Sequence, residues 1–568
     1  MTSLLSDLAA GPALVLASNP MLEKLELLVP ESILFVVTAI TAMFFGLSRS
    51  KRVREAVPYI ALAALVAAGV AALFTPDAGD RPLAELVPLG KVLVAVVGGL
   101  LVLLTVGTVD REFEEQVDRG ARFDPINSNR AEFYAFLLFS LTGLMLVFTA
   151  DDLIWLFLAL ELTSLPTYVM VSISSARSRS QEAGVKYFFL GAFGASVFLY
   201  GFALLYGAAG TTLLFSADPG QTSIASVLAE QAATGGLSTI AILGLVLSAV
   251  GICFKIAAVP MHFYTPDVYE GAATPVAALL AFVPKAAGFV ALLLLAAAVG
   301  WGFSHDAGGG TGLPEPLHLT LWIVAALTMT VGNVLAILQN SVKRILAYSS
   351  IAHSGYMLVG VIAGPGDPES PASNGVAAVV LYLLIYGVST LGAFAVLACL
   401  ERDGREEIDT VEDIQGLCAR RPALGWAMVL SAASLLGLPP LLGFFGKLYL
   451  FTAAMSAGEI ALVVVMGLNS AIAAFYYLRL VFAPWLAEPD DRLPATHAAP
   501  FPSRAFVAVV SAAGAVALVP FVDPLLDAAH AAAGGEPAPA LEPIDDLPPP
   551  TPAAEVPEPE RAPPGTDG

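Results

Sequence analysis

The sequence predicts an all-α polytopic membrane protein with about fourteen transmembrane helices, and three observations carry that prediction. Of its 568 residues, 57% are hydrophobic and only 13% are charged, well above the apolar share of an ordinary globular domain. The apolar residues fall into runs of about 17 to 25, the length that crosses a bilayer as a helix. These runs never alternate with period two, as barrel strands would.

Apolar length and Gly/Pro or polar punctuation place the spans near residues 27–47, 56–74, 88–109, 131–149, 152–173, 182–207 and 237–264. They continue near 274–299, 317–337, 343–363, 374–400, 422–456, 459–486 and 504–523. With this count the connections carrying Arg49, Lys51, Arg52, Arg54, Arg111, Arg119, Arg122, Arg130, Arg177, Arg179, Lys343 and Arg344 share one side. Arg402, Arg405, Arg420, Arg421, Arg492 and Arg504 join them, and the other side has only Lys24, Arg81 and Arg561. The positive-inside rule then makes the first loop cytoplasmic and sets both termini outside. The start of the chain lacks the basic segment and small-residue site of a cleaved signal, so the first apolar run is expected to be retained.

The net charge of −21 owes much to the end of the chain. From Gly534 the composition turns to Pro, Ala, Glu and Asp (EPAPALEPIDDLPPPTPAAEVPEPE), which cannot bury a core and is expected to be a disordered acidic tail. Cys253, Cys399 and Cys418 have no metal-like spacing, and the six histidines are scattered. No haem, iron-sulfur or zinc ligation is expected, and no glycine-rich loop suggests a nucleotide site.

Six of the 27 basic residues fall inside spans rather than loops: Lys91, Lys186, Lys255, Lys285, Lys447 and Arg479. Lys91 opens its span and is expected to snorkel to the interface, and Arg479 reads as an interface anchor. Lys285, in AALLAFVPKAAGFVALLLLAA, and the acidic Glu161, in DDLIWLFLALELTSLPTYVMV, lie near mid-span and cannot snorkel cheaply. Each deep charge costs about 2.5–3.5 kcal/mol to insert. Glu161, Lys255, Lys285 and Lys447 together cost about 10 kcal/mol before pairing, comparable with the whole stability of a domain. Such groups serve as helix cement poorly, since apolar replacement of a buried pair is often neutral or stabilising. Burial disfavours a charged amine and a carboxylate neighbour favours it, so an amine with a movable partner can take up and release a proton. Lys186, a few residues inside its span, is an alternative partner for Glu161.

Prolines interrupt two of these segments. Pro260 follows Lys255 in GICFKIAAVPMHFYTPDVYEG, and Pro439 and Pro440 precede Lys447 in SLLGLPPLLGFFGKLYLF. Proline removes a helical hydrogen bond, and open backbone at membrane depth is tolerated where protein buries it or a wet cavity receives it. Two broken segments five spans apart cross in opposite directions, which points to inverted repeats with ion sites between them. His262 and His353 read as lying near the cytoplasmic ends of their spans, as packing residues or as possible relay members.

The stretches FKIAAVPMHFYTPDVYEGAATPV, LALELTSLPTYVMV, EAGVKYFFLGAFGASVFLYG, TVGNVLAILQNSVKRILAYSSIAHSGYMLVG and LLGLPPLLGFFGKLYLF resemble the subunit N family of bacterial proton-pumping NADH-quinone oxidoreductase, respiratory complex I. The resemblance runs from about residue 131 to 486, and TPDVYEGAATPV and VKRILAYSSIAHSGY are its most specific parts. It implies two inverted five-helix repeats with broken helices 7 and 12, over 131–300 and 301–486. Three N-terminal helices (1–130) precede them, and a final helix (487–530) and the tail (531–568) follow. It further implies that Glu161 and Lys186 form a pair, that Lys255 is the central protonatable lysine, Lys285 a relay and Lys447 the outlet. FMN, iron-sulfur clusters, NADH and quinone are then expected in partner subunits, with no cofactor in this chain, and the location is the bacterial cell membrane. Two other readings share parts of this pattern: an Mrp-type cation/proton antiporter subunit, and a membrane scaffold whose charges only hold helices together.

Overall fold

The computed structural model describes residues 25–45, 48–76, 81–175, 177–216, 220–304, 311–402, 407–488, 497–499 and 501–534. Lys24, Arg405, Arg492 and the acidic tail lie outside them. Ten helices among the described residues are long and apolar enough to cross a membrane. They are α2 (Lys51–Ala72), α3 (Leu86–Thr105), α5 (Arg130–Phe148), α6 (Leu153–Ile173), α7 (Ser178–Ala209), α11 (Thr274–Val299), α12 (Glu315–Ile337), α13 (Val342–Ala363), α14 (Gly375–Ala398) and α18 (Ile460–Trp485).

The other four expected spans are each occupied by something shorter or bent. α1 (Val29–Ile40) runs into a π-helical turn at Thr41–Phe45. α9 (Thr239–Ile252) and α16 (Pro422–Leu436) stop short and are followed by α10 (Thr265–Gly271) and α17 (Leu442–Ser456). The last span is α19 (Pro502–Ala517) bent by 54° into a continuation that ends in α20 (Val522–Ala532). Four short helices were not foreseen: α4 (Arg111–Asp118), α8 (Ile224–Thr234), α10 and α15 (Leu417–Arg420). Two small antiparallel strand pairs, Phe303–Ser304 with Thr311–Gly312 and Leu400–Glu401 with His497–Ala498, close loops outside the spans.

Local signals set the ends. Asp152 caps α6 by accepting from Ile154 N at 2.7 Å. Ser238, Ser341 and Asn374 accept in the same way from the first turns of α9, α13 and α14. α16 ends in a Schellman turn: Gly437 has φ 88°, and Leu438 N donates to Ala433 O at 3.1 Å.

α11 and α13 bury every residue of their apolar windows and α14 buries 94%, whereas α7 and α18 bury only a third. The first three therefore form the centre of the bundle and the last two its lipid-facing edge, since lipid-exposed apolar side chains need no protein cover. Of the deep charges, Lys285 lies on this trio, whereas Glu161 lies on α6, Lys255 in the first break and Lys447 on α17.

The prolines act as expected, but the first break is longer than the sequence reading of 237–264 as one helix. After Ile252 the chain makes tight turns, Lys255 N to Ile252 O at 2.8 Å and Ala257 N to Phe254 O at 3.1 Å, and Ala257 takes a positive φ of 56°. The peptide bonds before Pro260 and Pro440 are cis. TPDVYEG, which falls between the expected spans 237–264 and 274–299, is the helix α10.

Candidate functional site: deep lysines at two helix breaks

Backbone opened inside a membrane must find partners within the protein. At the first break Val259 N donates to Thr328 Oγ1 on α12 at 2.9 Å, Ser354 Oγ on α13 donates to Ile256 O at 2.5 Å, and Tyr264 OH donates to Phe254 O at 2.9 Å. At the second, Lys447 Nζ donates to Leu436 O, the last carbonyl of α16, at 2.7 Å. Gly443 N donates to Ser434 Oγ at 3.1 Å. The breaks are thus polar openings tied to their neighbours, and each presents a lysine.

Lys255 Nζ donates to Glu161 Oε1 at 2.9 Å and to Ser164 Oγ at 2.7 Å, both on α6, with its own side chain 1% exposed. The rings of Phe198 and Phe254 lie 5.5 and 6.0 Å from the ammonium. The pair of Glu161 with Lys186 expected from the resemblance is not the one formed. Lys186 sits near the start of α7 with its side chain 44% exposed, and it binds Glu182 at 2.8 Å and Asp267 of α10 at 3.0 Å. Those two carboxylates are nearer its end of the helix than mid-span Glu161, so the amine stays at the edge.

Lys285 Nζ donates to the carbonyl and, at 2.7 Å, to the hydroxyl of Ser350 on α13. Tyr386 of α14 also donates to that hydroxyl, at 2.8 Å, and its ring lies 5.0 Å from the ammonium. His353 is at the middle of α13, not near its cytoplasmic end, because α13 begins at Val342 and runs to Ala363. Its two ring nitrogens lie 2.7 Å from Tyr382 OH and 2.8 Å from Tyr477 OH, and its ring is 5.1 Å from that of Tyr386. Lys447 stands over the ring of Tyr356 at 5.2 Å, with its stem against Gly437. A Cβ there would come within 3.1 Å of the lysine, so the glycine serves both the positive φ and the close approach. His262 is buried beside Phe263 in the first break and belongs to none of the lysines' contacts.

The hydroxyl groups that complete this site, Ser164, Ser350, Tyr382, Tyr386 and Tyr477, were not legible in the sequence, because a neutral side chain in an apolar helix leaves no mark there. Another buried pair was also missed. Lys91 does not snorkel: it is fully buried and bonds the carbonyl of Leu27 and, at 2.9 Å, Glu31 of α1. Glu31 offers a carboxylate within reach inside the protein, which outcompetes a path to the interface. Arg479 acts as an anchor on the chain leaving α12, donating to Gln339 O at 3.0 Å and Asn340 Oδ1 at 2.7 Å.

At the end of the bundle near α10, charges form a lattice. Arg344 binds Asp267 at 3.0 Å and Glu270 at 2.9 Å, Arg179 binds Glu270 at 3.0 Å, and Lys343 binds Glu407 at 2.7 Å. The two acids of TPDVYEG therefore fasten α10 to α7 and α13. Among the described residues no group of three His, Cys, Asp or Glu side chains is arranged to hold a metal.

Fold and site together define a many-span helical membrane protein of the antiporter-like class, with protonatable groups at two broken helices. The family described as NADH:quinone oxidoreductase/Mrp antiporter, transmembrane, matches residues 150–473, and the chain belongs to it. The chain is 42% identical over 398 residues to NADH-quinone oxidoreductase subunit N of Trichlorobacter lovleyi, covering 70% of this chain and 75% of that one. A chain of respiratory complex I from Thermus thermophilus, solved with bound aureothin, superposes with a TM-score of 0.69 at 31% identity, covering 88% of this chain and 98% of that one. A chain of the Mrp complex from Dietzia sp. DQ12-45-1b shares the fold at a TM-score of 0.68 and 21% identity, covering 90% of this chain and 97% of that one.

Proposed function

We propose that this chain is the subunit N type of proton-translocating membrane subunit in a bacterial NADH-quinone oxidoreductase, complex I. Electron transfer from NADH to quinone takes place in partner subunits that carry FMN, iron-sulfur clusters and the NADH site, and this chain moves protons through its buried Glu and Lys residues. The observation that carries the reading is the sequence of groups between the two breaks. It runs from the Glu161–Lys255 pair, through Lys285 with Ser350 and Tyr386, to His353 with its two tyrosines and Lys447 on Leu436 O.

In this reading Glu161 is the acid that holds a proton on Lys255, Lys285 is the relay, and Lys447 is the outlet toward the outside. Lys186 acts at the edge, through Asp267 of α10, and His262 stays a packing residue of the break. Separation of Glu161 from Lys255 removes the charge that favours the protonated amine, and the proton moves on. His353 links the Lys285 and Lys447 ends through a ring able to accept at one nitrogen and donate at the other.

Residues 131–300 and 301–486 form inverted five-helix repeats in this proposal. The packing order supports it: α5 with α6, α6 with α7 and α7 with α9 has its counterpart in α12 with α13, α13 with α14 and α14 with α16. The three N-terminal helices and the final bent span flank these repeats. The basic face is cytoplasmic and both termini lie outside the cell membrane, by the charge asymmetry of the loops.

The test uses the assembled complex in proteoliposomes. Lys255→Ala and Glu161→Ala are expected to leave assembly intact and to impair proton translocation together with coupled quinone reduction. Full activity in both variants would sink the proposal.

A further inference from the structure

One hydroxyl of the relay gathers side chains from more than one neighbouring helix. Ser350 is wholly buried on α13 and has three side-chain neighbours from three other helices. Lys285 of α11 donates to its Oγ at 2.7 Å, Tyr386 of α14 donates at 2.8 Å, and Tyr269 OH of α10 lies 3.4 Å away. A serine hydroxyl accepts two hydrogen bonds and donates one. Lysine and tyrosine fill both acceptor positions, so the single Ser350 proton points toward Tyr269.

Loss of the proton from Lys285 reverses this assignment. A neutral amine offers a lone pair, and the Ser350 hydroxyl then turns to donate to Nζ. The direction of the hydroxyl therefore depends on the charge of Lys285. Ser164, the hydroxyl bound to Lys255, differs, because its own proton is used on Leu160 O of the same helix at 3.0 Å.

We infer that Ser350 is the proton-transfer junction of Lys285, joining a path along α10 through Tyr269 to a path along α14 through Tyr386. On the α10 side, Gly271, two residues beyond Tyr269, lines surface cavities of about 290 and 710 Å³. On the α14 side, the Tyr386 ring stands 5.1 Å from that of His353. In the reloading step the Ser350 O–H bond breaks as a new N–H bond forms on neutral Lys285. Ser350 Oγ takes the Tyr269 phenolic proton, and Tyr269 regains one supplied from bulk solvent. Each hydroxyl ends neutral, and Lys285 gains one positive charge.

This inference rests on the proton-translocating reading above, and the experiment separates the two. Proton translocation and its H₂O/D₂O rate ratio are measured on the assembled complex carrying Ser350→Ala, Ser350→Thr, Tyr269→Phe or Lys285→Ala. Ser350→Ala is expected to slow translocation about tenfold, below the full contribution of a positioned proton-transfer group because confined water offers a slower substitute. Its isotope ratio rises, since the transfer at this position becomes the slow step, and Ser350→Thr, which keeps the hydroxyl, restores both. Tyr269→Phe shows the same raised ratio and adds nothing when combined with Ser350→Ala. A merely structural serine would change the amount of complex but not the ratio. If Ser350→Ala does not assemble, Tyr269→Phe, which keeps the ring, carries the test. Normal rates and ratios in Ser350→Ala or, in its place, Tyr269→Phe, beside a loss in Lys285→Ala, overturn the junction and leave the functional reading standing. Normal translocation in Lys285→Ala as well overturns both.

Discussion

Lys447 is bonded to the carbonyl of Leu436, 2.7 Å away, at the place where α16 stops. The lysine thus fills the acceptor that its own helix break creates, and among the described residues no carboxylate forms an ion pair with it. A neutral amine keeps that hydrogen bond as donor, so the break tolerates both charge states. Lys447→Met is expected to loosen the break and abolish proton delivery. Lys447→Arg keeps the hydrogen bond but fails to restore delivery, because a guanidinium does not release its proton. Proton pumping in vesicles, with NADH oxidation followed in parallel, distinguishes the two variants from wild type by rate, and intact pumping in Lys447→Arg counts against a proton-carrying role.

Lys255 is buried and its partner Glu161 mostly so, with side chains 1% and 16% exposed, so removing one member is worse for the fold than removing both. Lys255→Met or Glu161→Leu alone is expected to destabilise by about 3–5 kcal/mol, and the double variant to recover most of this without recovering translocation. Thermal unfolding of the purified complex reads the first effect and pumping the second. Lys186→Ala is expected to have a much smaller effect on stability, as for exposed ion pairs, because Arg344 still holds Asp267.

The Glu31–Lys91 pair ties α1 to α3 away from the lysines of the breaks. Lys91→Ala is expected to destabilise by about 3–5 kcal/mol through the stranded carboxylate, with the double variant Glu31→Leu and Lys91→Met near wild type in both stability and pumping. A pumping loss in a stable double variant gives this pair a part in the transport itself.

Asp413 lies in the connection between α14 and α16, outside the spans. Burial pushes its carboxyl up, but the Thr410 amide and hydroxyl at 3.0 and 2.9 Å and the Arg402 guanidinium at 2.5 Å outweigh that and hold it below its ordinary value. A depressed carboxyl contributes stability above its unfolded value of about 4, and that contribution is lost as pH falls through the still lower folded value. Protection of the Thr410 amide, which donates to Asp413, is therefore expected to fall below about pH 4, after correction for intrinsic exchange rates. Asp413→Asn removes this dependence and lowers protection at neutral pH.

The spans were legible because the bilayer imposes a length, and the two breaks because proline writes them into the sequence. The deep charges were legible for the same reason that they are costly. What could not be read was partnership. Whether Glu161 meets Lys186 or Lys255 depends on how α6, α7 and the first break pack, and whether Lys91 snorkels depends on a carboxylate 60 residues earlier. The placement of His353 near a helix end does not follow even from its own span of 343–363, which puts it at the middle, as the structure does. Hydroxyls such as Ser350 carry no pattern, since a serine facing lipid and a serine holding an ammonium look the same in one dimension.

The first break also constrains biosynthesis. Its backbone is completed by Thr328 and Ser354, which lie in α12 and α13, beyond residue 300. A ribosome that has released only the first 300 residues into the membrane has inserted an open peptide segment whose Val259 amide and Ile256 carbonyl still lack their partners. The early half of the chain therefore cannot complete this break by itself, and the break closes only when the later helices pack against it.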